Sequence, residues 1–147
     1  MIKQLQTIRF HALLICVAVL FTACAEDKAL RERHAQAKRN LGKSFLVDGN
    51  YTAGLKELLE AVELDPANPE IQNDLALTYR EMEMYSQAIS HFNKAIELKP
   101  DFSEAHNNLG TVYLMLDDWD RAIASFKKAL SNSRYATPHF AYNNLGL

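Results

Sequence analysis

Apolar residues recur along the chain at the spacing of helix faces, and one order of small and bulky positions returns every 34 residues. Within residues 69–102 that order is Ala76, Tyr79, Ala88, Phe92, Ala95 and Pro100. Upstream by 34 stand Gly42, Phe45, Gly54, Leu58, Ala61 and Pro66; downstream stand Gly110, Tyr113, Ala122, Phe126 and Ala129, with Arg134 where a proline is due. A period of this length is the mark of a repeat architecture, in which each unit buries its apolar face only by stacking on its neighbours. The pattern predicts an all-α solenoid with units at 35–68, 69–102 and 103–138, the third two residues longer, and the start of a fourth at 139–147. Each unit reads as two antiparallel helices, as in Leu75, Tyr79 and Met82 followed by Ala88, Ile89, Phe92 and Ile96.

The polar positions punctuate the same frame. Asn68-Pro69 and Thr137-Pro138 each offer a capping side chain before a proline suited to the first helical position, and Asp101 with Glu104 reads as a capping box. Asp48-Gly49-Asn50 and Leu116-Asp117-Asp118 supply turns inside the first and third units, and Met82-Glu83-Met84 does so in the second without a glycine. Gly42, Ala76 and Gly110, with Ala88 and Ala122, mark places where paired helices must approach closely. A chain ending at Leu147 leaves Tyr142 and Leu145 without a partner helix, so the expectation is that the natural protein continues.

Composition changes the picture mainly at the N-terminus. The 147 residues, 48% hydrophobic, allow one domain with a core. Met1 to Arg9 is short and basic, Ala12 to Phe21 is almost wholly apolar and too short to span a bilayer, and small residues lead up to Cys24. Leu20-Phe21-Thr22-Ala23-Cys24 resembles the lipobox of bacterial lipoproteins, with Phe21 departing from the usual leucine. That resemblance implies removal of residues 1–23, acylation of Cys24 and, since Ala25 is not an aspartate, the periplasmic face of the outer membrane. Ordinary secretory cleavage after Ala23-Cys24-Ala25, giving a soluble periplasmic protein, is the alternative. Residues 24–34, charged and mixed in sign, read as a tether into the first helix. Without the leader, 14 Lys/Arg face 18 Asp/Glu and no basic run exists, which sets nucleic acid aside as a partner. Cys16 and Cys24 are the only cysteines, so no disulfide staples the repeats.

No phosphate loop, nucleophile elbow, metal-ligand spacing or cofactor motif appears. His34, His91, His106 and His139 fall on different helices without HxxxH spacing, and Glu57, Glu60 and Glu63 read as a solvated face. Trp119 is read as packing between helices, and Met82, Met84 and Met115 as fillers. The reading is of a module that is not an enzyme.

These units resemble tetratricopeptide repeats, which place Leu, Gly/Ala, an aromatic, Ala, an aromatic or aliphatic, Ala and Pro in this order. The resemblance implies a concave groove that binds a protein or peptide segment. It places Asn40, Asp74, Asn108 and Asn144, each preceded in turn by Arg39, Asn73, Asn107 and Asn143, at an offset facing that groove. Amides there can bond an extended peptide's backbone, leaving specificity to Lys43, Leu77, Arg80 and Thr111; the alternative is that they bond across helices. A carboxylate clamp does not fit, with Asp74 and Glu104 where it needs asparagine and lysine. A lipoprotein signal joined to such repeats, with Lys99 to Gly110 and Tyr135 to Gly146, resembles the type IV pilus biogenesis lipoproteins, the pilotins. That implies a secretin as partner, brought to the outer membrane for assembly. Two other readings stay open: a periplasmic scaffold docking peptidoglycan hydrolases or other envelope enzymes, and a fragment of an enzyme whose catalytic domain follows.

Overall fold

A computed structural model describes residues 26–146. Cys24, the expected lipidation position, and the expected leader at residues 1–23 lie outside the described residues. Seven helices, and no strand among the described residues, follow in order: α1 (26–47), α2 (Tyr51–Leu64), α3 (Pro69–Glu81), α4 (Tyr85–Leu98), α5 (Ser103–Met115), α6 (Trp119–Leu130) and α7 (Pro138–Leu145). Helix α1 already runs through 26–34, the stretch whose charge pattern reads as a tether. The stretch lacks glycine and proline and gains an i,i+4 pair between Lys28 and Glu32 at 3.7 Å, so nothing in it opposes a helix.

Three-residue turns join α3 to α4 and α5 to α6 as they join α1 to α2, and the residue at their centre is left-handed each time. Gly49 has φ +72°, Glu83 +58° and Asp117 +56°. Asn50 and Asp118 then cap the following helices, accepting from the Ala53 and Arg121 amides, while Met84 begins α4 with no side-chain cap. Asn68 caps α3 as its position before Pro69 predicts, accepting from Glu70 and Ile71. The other two starts differ from expectation. Thr137 sits at the N-cap of α7 without making a cap bond, and the Asp101/Glu104 box does not form. The N-cap of α5 is Phe102, whose ring is drawn into the core, and Asp101 turns instead to Arg134 at 3.3 Å.

The close approaches are where the small residues predict them. A Cβ on Gly42 would lie 2.8 Å from Leu58 Cγ, and one on Gly110 2.5 Å from the fully buried Phe126 ring. Two apolar clusters fill the stack. Ala35, Leu58, Ala61, Ile71 and Leu75 form the N-terminal one, and Phe92, Ala95, Leu109, Val112 and Phe126 belong to the larger C-terminal one. Tyr79 packs against both. The turn after α6 is longer than its counterparts and is fastened to the previous one, with Asn132 Nδ2 donating to the Asp101 carbonyl at 2.8 Å.

Candidate partner-binding face

The first helices of successive units touch: α3 meets α5, and α5 meets α7. The second helices α2, α4 and α6 make no such contact with one another. A stack closed up on one side and open on the other curves toward the closed side, so α1, α3, α5 and α7 line its inner face.

The polar pairs of the sequence lie along that face, but they face each other more than they face solvent. Arg39 Nε donates to Asp74 Oδ2 at 2.6 Å, Asn108 Nδ2 to Asn73 Oδ1 at 3.4 Å, and Asn144 Nδ2 to Asn107 Oδ1 at 3.3 Å. The first two links join residues 35 apart; the third joins residues 37 apart, because the third unit is two residues longer. Asn73, Asp74 and Asn107 are buried by these contacts. They stitch one first helix to the next, so for these three the reading of a side chain open to a peptide gives way to bonding across helices. Asn108 and Thr111 are half-buried, Asn40, Asn143 and Asn144 are exposed, and the Asn40 carbonyl accepts from Gln36 in its own helix. Arg80 reaches Thr111 at 3.5 Å on the next first helix. Exposed or half-buried along this face are thus Asn40, Asn108, Asn143 and Asn144, with Lys43, Leu77, Arg80, Thr111 and Leu114.

Asp74 and Arg39 replace, in the first link, the amide pair used in the next two. Burial pushes the Asp74 carboxyl above its ordinary range, and the Arg39 and Lys43 charges oppose that without overcoming it. Sequence reasoning grouped Asp74 with Asn108 by offset and missed its bond to Arg39. The signal was present as a separation of one period plus one residue.

The remaining expectations divide. His91 is a packing histidine: Nδ1 lies 2.8 Å from Gln72 Oε1, the ring stacks on Tyr79 with centroids 5.3 Å apart, and burial lowers its pKa. Trp119 does not pack between helices; it is 60% exposed at the first turn of α6. Glu57 and Glu60 both pair with Lys38 across α1 and α2. Among the described residues, no group of three His, Cys, Asp or Glu side chains is placed to hold a metal, and no helix is long and apolar enough to cross a membrane.

Four family models of the repeat match in overlapping steps along this scaffold. Three described as "Tetratricopeptide repeat" match residues 23–69, 57–90 and 103–133, and one described as "TPR repeat" matches 77–117. The chain belongs to the tetratricopeptide repeat family. No curated protein matches it. Among solved structures, this repeat protein is similar to PilW, a widely conserved type IV pilus biogenesis factor, with TM-score 0.72 and 27% identity over 76% of this chain and 51% of that one. It is also similar in fold to the Arabidopsis OM64 TPR domain, with TM-score 0.71, 20% identity and coverage of 79% and 97%. The second TPR of Spaghetti (RPAP3), bound to the HSP90 peptide SRMEEVD, aligns with TM-score 0.65, 23% identity and coverage of 68% and 93%. The repeat protein spans about half the length of PilW. The fold is that of a protein-interaction module.

Proposed function

We propose that this repeat protein is a lipid-anchored pilotin of type IV pilus biogenesis, holding a secretin segment at its inner face beside the outer membrane. The observation that carries the reading is the likeness to PilW, at 27% identity over 76% of the chain. The lipobox-like run ending at Cys24 supports it from the other end of the sequence. Acyl chains on Cys24 would each contribute about 0.8 kcal/mol per buried methylene, and more than one chain anchors stably. On the inner face, Asn108, Asn143 and Asn144 supply donors and acceptors for a peptide backbone, and Leu77 and Leu114 supply apolar contact. A peptide-bound relative of the same fold, the Spaghetti TPR, makes a segment rather than a folded domain the natural occupant.

The test is affinity capture from detergent-solubilised envelopes with wild type, Asn108→Ala/Asn144→Ala and Cys24→Ser. The expected result is secretin enrichment that drops in the double variant, and a lipid mass on Cys24 that is lost in Cys24→Ser together with membrane retention. Enrichment of endopeptidases in place of secretin would instead favour the scaffold reading.

A further inference from the structure

Helix α1 exposes a face that its successors cover. Ile71, Leu75 and Thr78 on α3 are completely buried, and Ile71 and Leu75 share a cluster with Leu58 and Ala61 of the preceding α2. One unit on, Ala105, Leu109 and Val112 are buried, Ala105 and Leu109 in a cluster with Phe92 and Ala95 of α4. The residues at the same register of α1 are Ala37, Leu41 and Ser44, all exposed, with Leu41 at 45%. Leu30 and His34 extend the row by two turns at i, i+4, i+7, i+11 spacing, and Leu30 is 52% exposed. A cavity of about 300 Å³ opens there, lined by His34, Ala37, Lys38, Leu41 and Leu64. This face is thus built as the seat of a preceding second helix, and the interface it would make is formed further along the same chain by α2 on α3, α4 on α5 and α6 on α7.

Charge narrows the occupant. Residues 26–47 carry six Lys/Arg against three acids, while 48–147 carry eight against fifteen. Arg31 and Arg33 flank the apolar row, and neither forms an ion pair among the described residues. A helix seated between them gains from acidic side chains at its edges and is repelled by basic ones.

We propose that the outer face of α1 is a second binding site, which takes one acidic amphipathic helix from a partner protein. The helix docks as α2 docks on α3, with small and apolar residues inward. The site is separate from the inner face and does not depend on what binds there.

A probe exists in the protein itself. The α2 sequence, Tyr51–Leu64, carries three glutamates and one lysine and is already shaped to fill this register on α3. A fluorescein-labelled synthetic peptide of residues 51–64 is titrated into the full-length chain and followed by anisotropy. Saturable binding is expected, weakened about tenfold or more by Leu41→Glu or Ala37→Glu, each of which sets a charge against the apolar seat. Reversing the rim with Arg31→Glu/Arg33→Glu weakens it as well. Both seat positions are exposed, so the variants keep the wild-type melting curve, which is checked alongside. No binding, or binding that Leu41→Glu and Ala37→Glu leave unchanged, overturns the proposal. So does sedimentation of the wild type as a dimer that Leu41→Glu dissolves, because the occupant would then be a second copy.

Discussion

The Arg39–Asp74 pair shows how one residue's environment decides its role. Two charges taken from water repay their desolvation only as a pair, so removing one partner costs more than removing both. Arg39→Leu should therefore destabilise by about 3 kcal/mol, and Arg39→Leu/Asp74→Leu should recover most of it in urea unfolding. Equal losses in the single and double variants would mean the pair contributes nothing beyond packing. His91 gives a pH signature of opposite origin. Burial lowers its pKa, so the unfolded chain takes up a proton that the folded chain refuses. The stability involved is complete above about pH 6.5, the unfolded value, and is lost as pH falls from there through the lower folded value. His91→Gln can still donate to Gln72, and should flatten the difference in stability between pH 7.5 and pH 5. At this scale the sequence was least legible. Offsets of 34 align equivalent residues, whereas the bonds along the inner face run between residues 35 or 37 apart, and Asp74 and Arg39 meet only through that shift.

Helices and their turns were far more legible, because each depends on neighbours in sequence. The apolar period placed the hairpins, and Gly42 and Gly110 marked contacts that leave no room for a Cβ. What failed were two of the three marked caps, those at Asp101 and Thr137. A capping side chain competes with tertiary contacts for its partner, so Asp101 was taken by Arg134, and Phe102 by the core. The tether reading meets a helix for a related reason: charge alone reads as solvation, but a stretch free of glycine and proline, with an i,i+4 pair, makes a good helix from residue 26 on. The turns carry a testable strain. Glu83 and Asp117 hold the left-handed conformation that Gly49 adopts at the equivalent place, and a side chain there costs about 1 kcal/mol. Glu83→Gly should raise the stability by about that amount, seen as a higher urea midpoint with an unchanged slope. A lower midpoint would show that the Glu83 side chain contributes more than its backbone costs.

Over the whole molecule, stability is a sum of hairpins and the interfaces between them, so cooperation is only as strong as the weakest interface. Here the boundary between the two apolar clusters falls along α3, within the second hairpin. The two clusters share Tyr79, which packs on Leu58's cluster on one side and on Phe92's on the other, its ring stacked on His91. Truncating it removes contacts from both clusters at once, a loss of about 2 to 3 kcal/mol for a half-buried aromatic. In a globular core such a loss lowers one transition. In a solenoid it should also divide the transition, because α1 and α2 would keep the cluster they share with Ile71 and Leu75 of α3 while that cluster loses its packing link to α4 to α6. Hydrogen exchange on Tyr79→Ala should therefore show α1 and α2 opening at lower free energy than α4 to α6, whereas in the wild type the gap is smaller. A variant whose helices all lose protection together, by equal amounts, would mean that coupling along this stack is carried by the polar stitches of the inner face and not by the ring between the clusters.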